Sequence, residues 1–285
     1  MTNQKHVAAI HDISGMGKCS LTVALPILSA AGLRTSIMPT AVLSTHTGGF
    51  TDFTYHDLTE DLMPFAKHWK SLGVHFDALY SGFLGSFEQL ELVSQIFTLL
   101  RSEDTLVMVD PVMADNGELY SVYSPDFPQG MAKLCAKAGI IVPNITEATL
   151  LLGEHYHAAP YKKAEIEKLL HALAKLGAPK VVLTGVDFGD GKLGAACYDQ
   201  QTDAVSYAFN QKIEGYYHGT GDVFGSALLA GLMRNKTLAE STQLAVDFTV
   251  GSIKRTHAAG DDVRFGVDFE EELPNFMRNL GLLSK

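Results

Sequence analysis

The chain has 285 residues, 46% of them hydrophobic, and its 32 acidic and 22 basic residues give a formal net charge of −10. With no Lys/Arg-rich run, this balance argues against general nucleic-acid binding, which depends on clustered cations that neutralise phosphates. The polar start of the chain, apolar stretches far below the ~20 residues of a membrane helix and three scattered cysteines predict a soluble, cytoplasmic protein without membrane contact.

Short apolar strands alternate with helical patterns along the first half of the chain. In chain order, this half is predicted to contain strand 6–10, helix 21–31, strand 35–39, helix 62–72, strand 78–80, helix 87–101 and strand 105–109. The second half continues with strand 140–142, helix 164–176, strand 180–184, a hairpin of 194–198 with 204–209, and helices 223–233 and 238–256. This order predicts an α/β fold with a mostly parallel sheet covered by helices on both faces, in one domain over residues 1–285.

Polar residues collect where these strands end, at the edge at which open parallel sheets bind ligands. The set comprises Asp12, Asp110, Asn144, Glu147 and Thr184. A random scatter of polar residues would not favour this arrangement, so we expect the functional site at that edge.

A glycine-rich turn, Gly219-Thr220-Gly221, leads into Asp222 and a strongly amphipathic helix. Its glycines allow successive backbone amides to converge on an anion, and the helix N-terminus adds a partial positive charge. Asp222 could then accept the proton of an attacking hydroxyl during phosphoryl transfer. The alternative is a simple turn in which Asp222 only caps the helix.

Two further motifs carry carboxylates. In Pro143-Asn144-Ile145-Thr146-Glu147, Glu147 could hold Mg²⁺ through water while Asn144 positions the metal or a phosphate oxygen, or the pair could be only a helix cap. In Asp110-Pro111, the aspartate could serve as a second anion near the metal–nucleotide, or could simply end the strand.

Two loops are less specific. The segment 12–20 contains Gly15, Gly17 and Lys18 but matches neither G-x-x-x-x-G-K-[ST] nor G-x-G-x-x-G, which excludes a Walker-type NTPase and gives a dinucleotide fold no support. Lys18 is expected at the solvated surface, although it could reach a phosphate. The loop around His46 and Thr47, with hydroxyls and two glycines, could line a substrate pocket or merely form a turn.

Taken in order, these segments resemble the ribokinase-like superfamily, and most closely the pyridoxal/pyridoxamine kinase family. The most specific pieces are Ser44-Thr45-His46-Thr47-Gly48, Asp110-Pro111-Val112-Met113, Pro143-Asn144-x-x-Glu147 and Gly219-Thr220-Gly221-Asp222. Each motif alone is weak, whereas four in the family's order are specific, and the match spans nearly the whole chain.

The resemblance implies a three-layer α/β/α sandwich and a homodimer that uses ATP and Mg²⁺ to phosphorylate the 5′-hydroxymethyl group of a vitamin B6 vitamer. It implies that Asp222 is the base and that residues 219–221 form the anion hole. Asp110 and Glu147 would work at the metal and phosphates, with Asn144 beside them, and Thr184 at the nucleotide. The implied substrate contacts are Asp12, His46, Thr47 and Phe83.

Two departures leave the substrate open. Pyridoxal kinases commonly carry Ser where Asp12 stands and Tyr where Phe83 stands, and the loop Ser14-Gly15-Met16-Gly17 is similar to that of hydroxymethylpyrimidine kinases of thiamine synthesis. A B6-vitamer kinase is therefore the first hypothesis, with a hydroxymethylpyrimidine kinase and a non-catalytic nucleotide-binding regulator as alternatives. The sequence does not decide whether a monovalent cation assists.

Overall fold

The computed structural model describes residues 4–284, and within them nine strands form one twisted sheet. Its spatial order is β11-β10-β9-β8-β5-β4-β1-β2-β3. The strands are β1 (His6–Ser14), β2 (Arg34–Leu43), β3 (Tyr55–Asp57), β4 (Ala78–Ser81), β5 (Leu106–Val109), β8 (Ile140–Ile141), β9 (Lys180–Val186), β10 (Lys192–Asp199) and β11 (Ala204–Gln211). From β2 to β9 the pairings are parallel, and the strands at both ends, β3, β10 and β11, are antiparallel. A small hairpin of β6 (Ala114–Asp115) and β7 (Glu118–Leu119) stands apart from the sheet.

Helices cover both faces of the sheet, and each face buries its own apolar core. On one face pack α2 (Thr59–Ser71), α3 (Phe87–Leu100), α4 (Phe127–Cys135), α5 (Ile145–Leu152) and α6 (Lys163–Ala174). On the other pack α1 (Leu21–Ala30), α7 (Thr220–Met233), α8 (Leu238–Ala259) and α9 (Leu273–Asn279). This confirms the predicted three-layer, ribokinase-like arrangement. Within residues 4–284, no helix is long and apolar enough to cross a bilayer.

Every predicted strand and helix is present, and several extend further than the apolar pattern suggested. β1 continues to Ser14 because Ile13 and Ser14 pair with the end of β2. β9 continues to Val186, which pairs with Gly194 across an irregularity in the ladder. Asp12 and Thr184 therefore lie inside strands, two residues before the strand ends, rather than in the loops that follow.

The carboxyl ends of β1, β5 and β8 meet the N-termini of two helices at one edge of the sheet. α5 follows β8 through a three-residue connection, and α7 packs on α1 beside β1. A polar cleft of about 630 Å³ lies at the opposite edge, where β1 and β4 begin, and is lined by none of the predicted site residues. The fold thus places the predicted site residues at the edge of the sheet that the sequence predicted.

Candidate active site

The N-terminus of α7 is open to an anion. Its N-cap is Gly219, at φ 74°, and no side chain caps the helix. A Cβ at Gly219 would lie 1.9 Å from the Lys18 carbonyl oxygen, whereas a Cβ at Gly221 would meet nothing within 4 Å. Glycine is thus required where the turn touches the 17–19 loop, and the side of Gly221 faces open space. The first amides of α7 can therefore receive a negatively charged group.

Asp222 lies in the first turn of this helix, three residues after the cap, and is half-buried. Because Gly219 is the N-cap, the alternative in which Asp222 caps α7 is wrong. Burial raises the pKa of its carboxyl to about 7, although a hydrogen bond from the Ser20 backbone lowers it, and the Asp12 charge adds to the rise. A carboxylate with this pKa can exchange a proton near neutral pH.

Asp110 is buried immediately after β5, and its backbone amide donates to the Ser81 carbonyl oxygen at 2.9 Å. A Cβ placed on Gly225 in α7 would lie 3.5 Å from Asp110 Oδ2. Burial raises the pKa of Asp110 well above its usual range, and the charges of Glu147 and Asp222 raise it further. Asp110 therefore lies beside α7, where the charges of both Glu147 and Asp222 act on it.

Asn144 and Glu147 form a capping box at the start of α5. Glu147 Oε2 accepts from the Asn144 amide at 2.8 Å, and Glu147 Oε1 accepts from the Met113 amide at 3.1 Å. Asn144 Nδ2 donates to the Ala114 carbonyl oxygen at 2.8 Å, and the backbone of Thr184 pairs with that of Asn144. Burial raises the pKa of Glu147 to about 8, against the backbone hydrogen bonds, which lower it.

These contacts limit how the site could hold a metal. Both Glu147 oxygens are engaged by backbone amides, so a direct metal bond would compete with them, and the role through water stays a prediction. No hydrogen bond to the Asp110 carboxylate comes from residues 4–284, and its oxygens are free for a cation. Those residues contain no preformed cluster of three ligands, so a Mg²⁺ ion here would be shared with phosphate oxygens.

Asp12 lies close enough to Asp222 for its charge to raise the pKa of the Asp222 carboxyl. It is buried and accepts from Ser14 Oγ at 3.2 Å. Burial raises the pKa of its carboxyl, while hydrogen bonds from Ser20 and Ser14 lower it. The nearby Lys18 is not directed to this site, because its Nζ donates to Asp268 at 2.7 Å and Glu270 at 2.9 Å.

The predicted substrate loop closes against the glycine turn. His46 Nδ1 accepts from the Gly48 amide at 3.1 Å, so the ring carries its proton on Nε2, which donates to the Arg264 carbonyl oxygen at 2.6 Å. Both nitrogens of this buried ring are therefore engaged within the protein, while Thr47 is exposed. The His46 ring lies 5.2 Å from that of His218, the residue before the turn.

Phe83 is half-buried, and its ring centroid lies 6.0 Å from that of Tyr123. Tyr123 donates to the Leu84 carbonyl oxygen at 2.8 Å. Neither Tyr123 nor His218 was among the site residues predicted from the sequence. Only the position of His218 directly before Gly219 could have indicated it, whereas Tyr123 lies in a segment without a clear periodicity.

Comparisons with known proteins identify relatives of this chain among small-molecule kinases. A family model described as phosphomethylpyrimidine kinase matches residues 27–265. A Bacteroides thetaiotaomicron crystal structure, whose name also refers to phosphomethylpyrimidine kinase and which was solved with pyridoxal, is 36% identical, with a TM-score of 0.91 and 96% of each chain covered. The crystal structure of pyridoxal kinase from Lactobacillus plantarum is 30% identical, with a TM-score of 0.88 and coverage of 96% of this chain and 97% of that one. Pyridoxine kinase from Bacillus subtilis is 30% identical over 191 residues, 65% of this chain and 66% of that protein.

Proposed function

The chain belongs to the phosphomethylpyrimidine kinase family and is a small-molecule kinase, and we propose that it transfers the γ-phosphoryl group of ATP to the 5′-hydroxymethyl group of a vitamin B6 vitamer. The proposed unit is one kinase domain over residues 1–285. The observation that carries the chemistry is Asp222, with its pKa near 7, at the uncapped N-terminus of α7.

In the proposed reaction, Asp222 accepts the proton of the substrate hydroxyl as the oxygen attacks phosphorus. The amides of residues 219–221 hold the phosphoryl group that is transferred, because phosphoryl transfer depends mainly on positioning and charge neutralisation. Bound Mg²⁺ would neutralise charge on the phosphates. Asp110 would hold it directly and Glu147 through water, with Asn144 and Thr184 beside the nucleotide.

The B6 assignment is supported by the pyridoxal-containing structure and by relatives that are named pyridoxal and pyridoxine kinases. Asp12, Thr47 and Phe83 are the proposed contacts with the ring of the substrate. His46 would act on the shape of the pocket through its loop, since both of its nitrogens are already bonded within the protein.

A second candidate is a hydroxymethylpyrimidine kinase, which is supported by a relative from Aquifex aeolicus named hydroxymethylpyrimidine/phosphomethylpyrimidine kinase. It would use the same transfer centre and differ only in the substrate pocket. We also propose a homodimer: among the described residues, β3 pairs only with β2 and is exposed along its length, with Tyr55 and the neighbouring Val42 at the surface. Sedimentation of the purified protein tests the dimer.

The substrate is tested by a coupled assay of ADP release, with pyridoxal, pyridoxamine, pyridoxine and hydroxymethylpyrimidine compared on one preparation. We expect the highest kcat/KM with a B6 vitamer. A higher value with the pyrimidine alcohol would replace the first candidate by the second. Nucleotide binding without turnover of any of the four would instead favour a non-catalytic regulator.

A further inference from the structure

Lys18 ties the loop that precedes α1 to the segment between α8 and α9. Its Nζ donates to Asp268 at 2.7 Å and to Glu270 at 2.9 Å, and its backbone amide donates to the Phe265 carbonyl oxygen at 3.0 Å. Burial lowers the pKa of the ammonium, but the hydrogen bonds and charges of the two acids outweigh burial and raise that pKa. Lys18 is therefore a charged residue that is bonded three times to one short stretch of chain.

The backbone of Lys18 also lies directly against the glycine turn at the start of α7. Gly219 approaches the Lys18 carbonyl oxygen so closely that a Cβ on this glycine would lie 1.9 Å from that oxygen. A Cβ on Gly266 would lie 2.7 Å from Lys18 Cβ and 3.0 Å from its backbone nitrogen and oxygen. Lys18 thus contacts both the turn that is proposed to receive the phosphoryl group and the segment that holds its ammonium.

The same segment holds the substrate loop. Residues Val263–Phe265 form a single 3-10 turn, and the Arg264 carbonyl oxygen in it accepts from His46 Nε2 at 2.6 Å. The next carbonyl oxygen along the chain, that of Phe265, accepts from Lys18. Two neighbouring carbonyl groups therefore bind the loop at His46 and the loop at Lys18, and the ion pairs of Lys18 fasten the chain just beyond them.

The loop that carries Lys18 needs such support, because it ends in a strained residue. Ser20, the N-cap of α1, has φ 56° and ψ −128°, and no side chain caps the helix there. A non-glycine residue keeps a backbone conformation of this kind only where surrounding contacts hold it. Ser20 is buried, and its backbone hydrogen bond lowers the pKa of Asp222. A shift of this loop would therefore reach the proposed base as well as the glycine turn.

We propose that Lys18 is a positioning residue for the phosphoryl transfer: its ion pairs with Asp268 and Glu270 hold the loop of residues 15–19, and this loop fixes the glycine turn at Gly219. The inference rests on the proposed function, in which that turn holds the transferred group. The alternative is that the ammonium leaves the two acids and binds a phosphate of the nucleotide. Two charge-assisted hydrogen bonds would have to break for that, and such bonds are the stronger ones in proteins.

The test compares wild type with Lys18→Met, with Asp268→Asn/Glu270→Gln and with all three changes together. The matched control, Lys180→Met, removes an ion pair at the opposite edge of the sheet, where β9 begins. Its Nζ lies 2.7 Å from Asp199, and its side chain is 28% exposed, against 30% for Lys18. Misplacement of the turn should lower kcat roughly tenfold in Lys18→Met and in the double variant. The triple variant should be no slower than either, and Lys180→Met should match wild type.

Three other readouts separate positioning from a loss of stability or of ligand contacts. Ion pairs with this exposure add little to folding stability, so the melting temperature should hardly change in any variant. The calorimetric affinity for Mg·ADP should stay within about twofold, because ADP lacks the phosphoryl group that the turn receives. The KM of the alcohol should also change little, since His46 is held by a backbone carbonyl group that the substitutions retain.

Hydrogen exchange follows the same contacts without turnover. The amides of Lys18 and Val223 donate to the carbonyl oxygens of Phe265 and Gly219, and both should exchange several-fold faster in Lys18→Met than in Lys180→Met. Unchanged exchange, or unchanged kcat in an active protein, would overturn the inference. A loss of kcat or of Mg·ADP affinity that Asp268→Asn/Glu270→Gln does not share would also overturn it, because the ammonium would then act on the phosphates. A wild-type protein without turnover, but with the expected exchange, would refute the proposed function alone.

Discussion

The close approach of Tyr80 to Gly225 makes a quantitative prediction about stability. Alanine at position 225 would place a Cβ 2.5 Å from Tyr80 Oη, a separation that Cβ atoms essentially never show. Tyr80 is fully buried against His11, so its ring has no free space into which to move. Overpacking of this kind costs about 1–3 kcal/mol. It opposes the gain of about 1 kcal/mol for replacing glycine by alanine inside a helix.

The collision involves the hydroxyl and spares the ring. In a Tyr80→Phe background the Cζ atom, at 3.4 Å, remains the nearest contact to the new methyl group, and this is an ordinary van der Waals distance. Gly225→Ala should therefore destabilise the wild type by up to about 2 kcal/mol and be neutral or stabilising by up to about 1 kcal/mol beside Tyr80→Phe. Urea unfolding of the four proteins in the cycle measures the coupling, which we expect to be about 1–3 kcal/mol.

A second double-mutant cycle, with Gly231→Ala and Ser241→Ala, serves as the control, because there the added Cβ would also collide with Cβ and Cα atoms. There the added Cβ would lie 2.8 Å from Ser241 Oγ, but also 2.9 Å from its Cβ and 3.1 Å from its Cα. Removing the hydroxyl should leave most of that clash, so the coupling should be small. Equal destabilisation by Gly225→Ala with and without the Tyr80 hydroxyl would refute the reasoning.

Two other predictions concern the carboxyl groups. The kcat/KM of the wild type should fall as the pH decreases through about 7, because Asp222 must be ionised to act as a base and its pKa is raised to about 7. A fall of kcat/KM that begins only near pH 4 would show that Asp222 is not the base. Glu147→Gln should lose about 1–3 kcal/mol in urea unfolding, because one of the two amides that donate to the carboxylate would face a side-chain NH₂ group. It should also need more Mg²⁺ for half-maximal rate, and lost stability with an unchanged Mg²⁺ titration would make Glu147 a helix cap only.

Much of the site was predictable because parallel strands bring their carboxyl ends to one edge. The residues that follow β5 and β8, and the helix start at Gly219, needed only the strand–helix alternation to be assigned to the same edge. The partners of Lys18 could not be predicted in this way, since Asp268 and Glu270 are about 250 positions away in the chain. Neither local spacing nor composition encodes that ion pair.

Tyr80 illustrates a second limit. In the sequence it completes an apolar strand, Ala78-Leu79-Tyr80, and that pattern is the same whether or not the hydroxyl packs against a helix. Only the packing of α7 brings Gly225 against its phenol oxygen. The short elements β3 and α4 were missed for a different reason. β3 has three exposed residues and no alternation, and the nine residues of α4 include both Pro128 and Gly130, which weaken a helical pattern.

The central claim is that Asp222 deprotonates an alcohol beside the open N-terminus of α7. The most direct measurement is substrate-dependent ADP release by Asp222→Asn and wild type, combined with calorimetric ATP binding to both. We predict that Asp222→Asn loses turnover by several orders of magnitude while its affinity for ATP changes less than a few-fold, since the base acts in the transition state. Equal turnover in the two proteins would contradict the account.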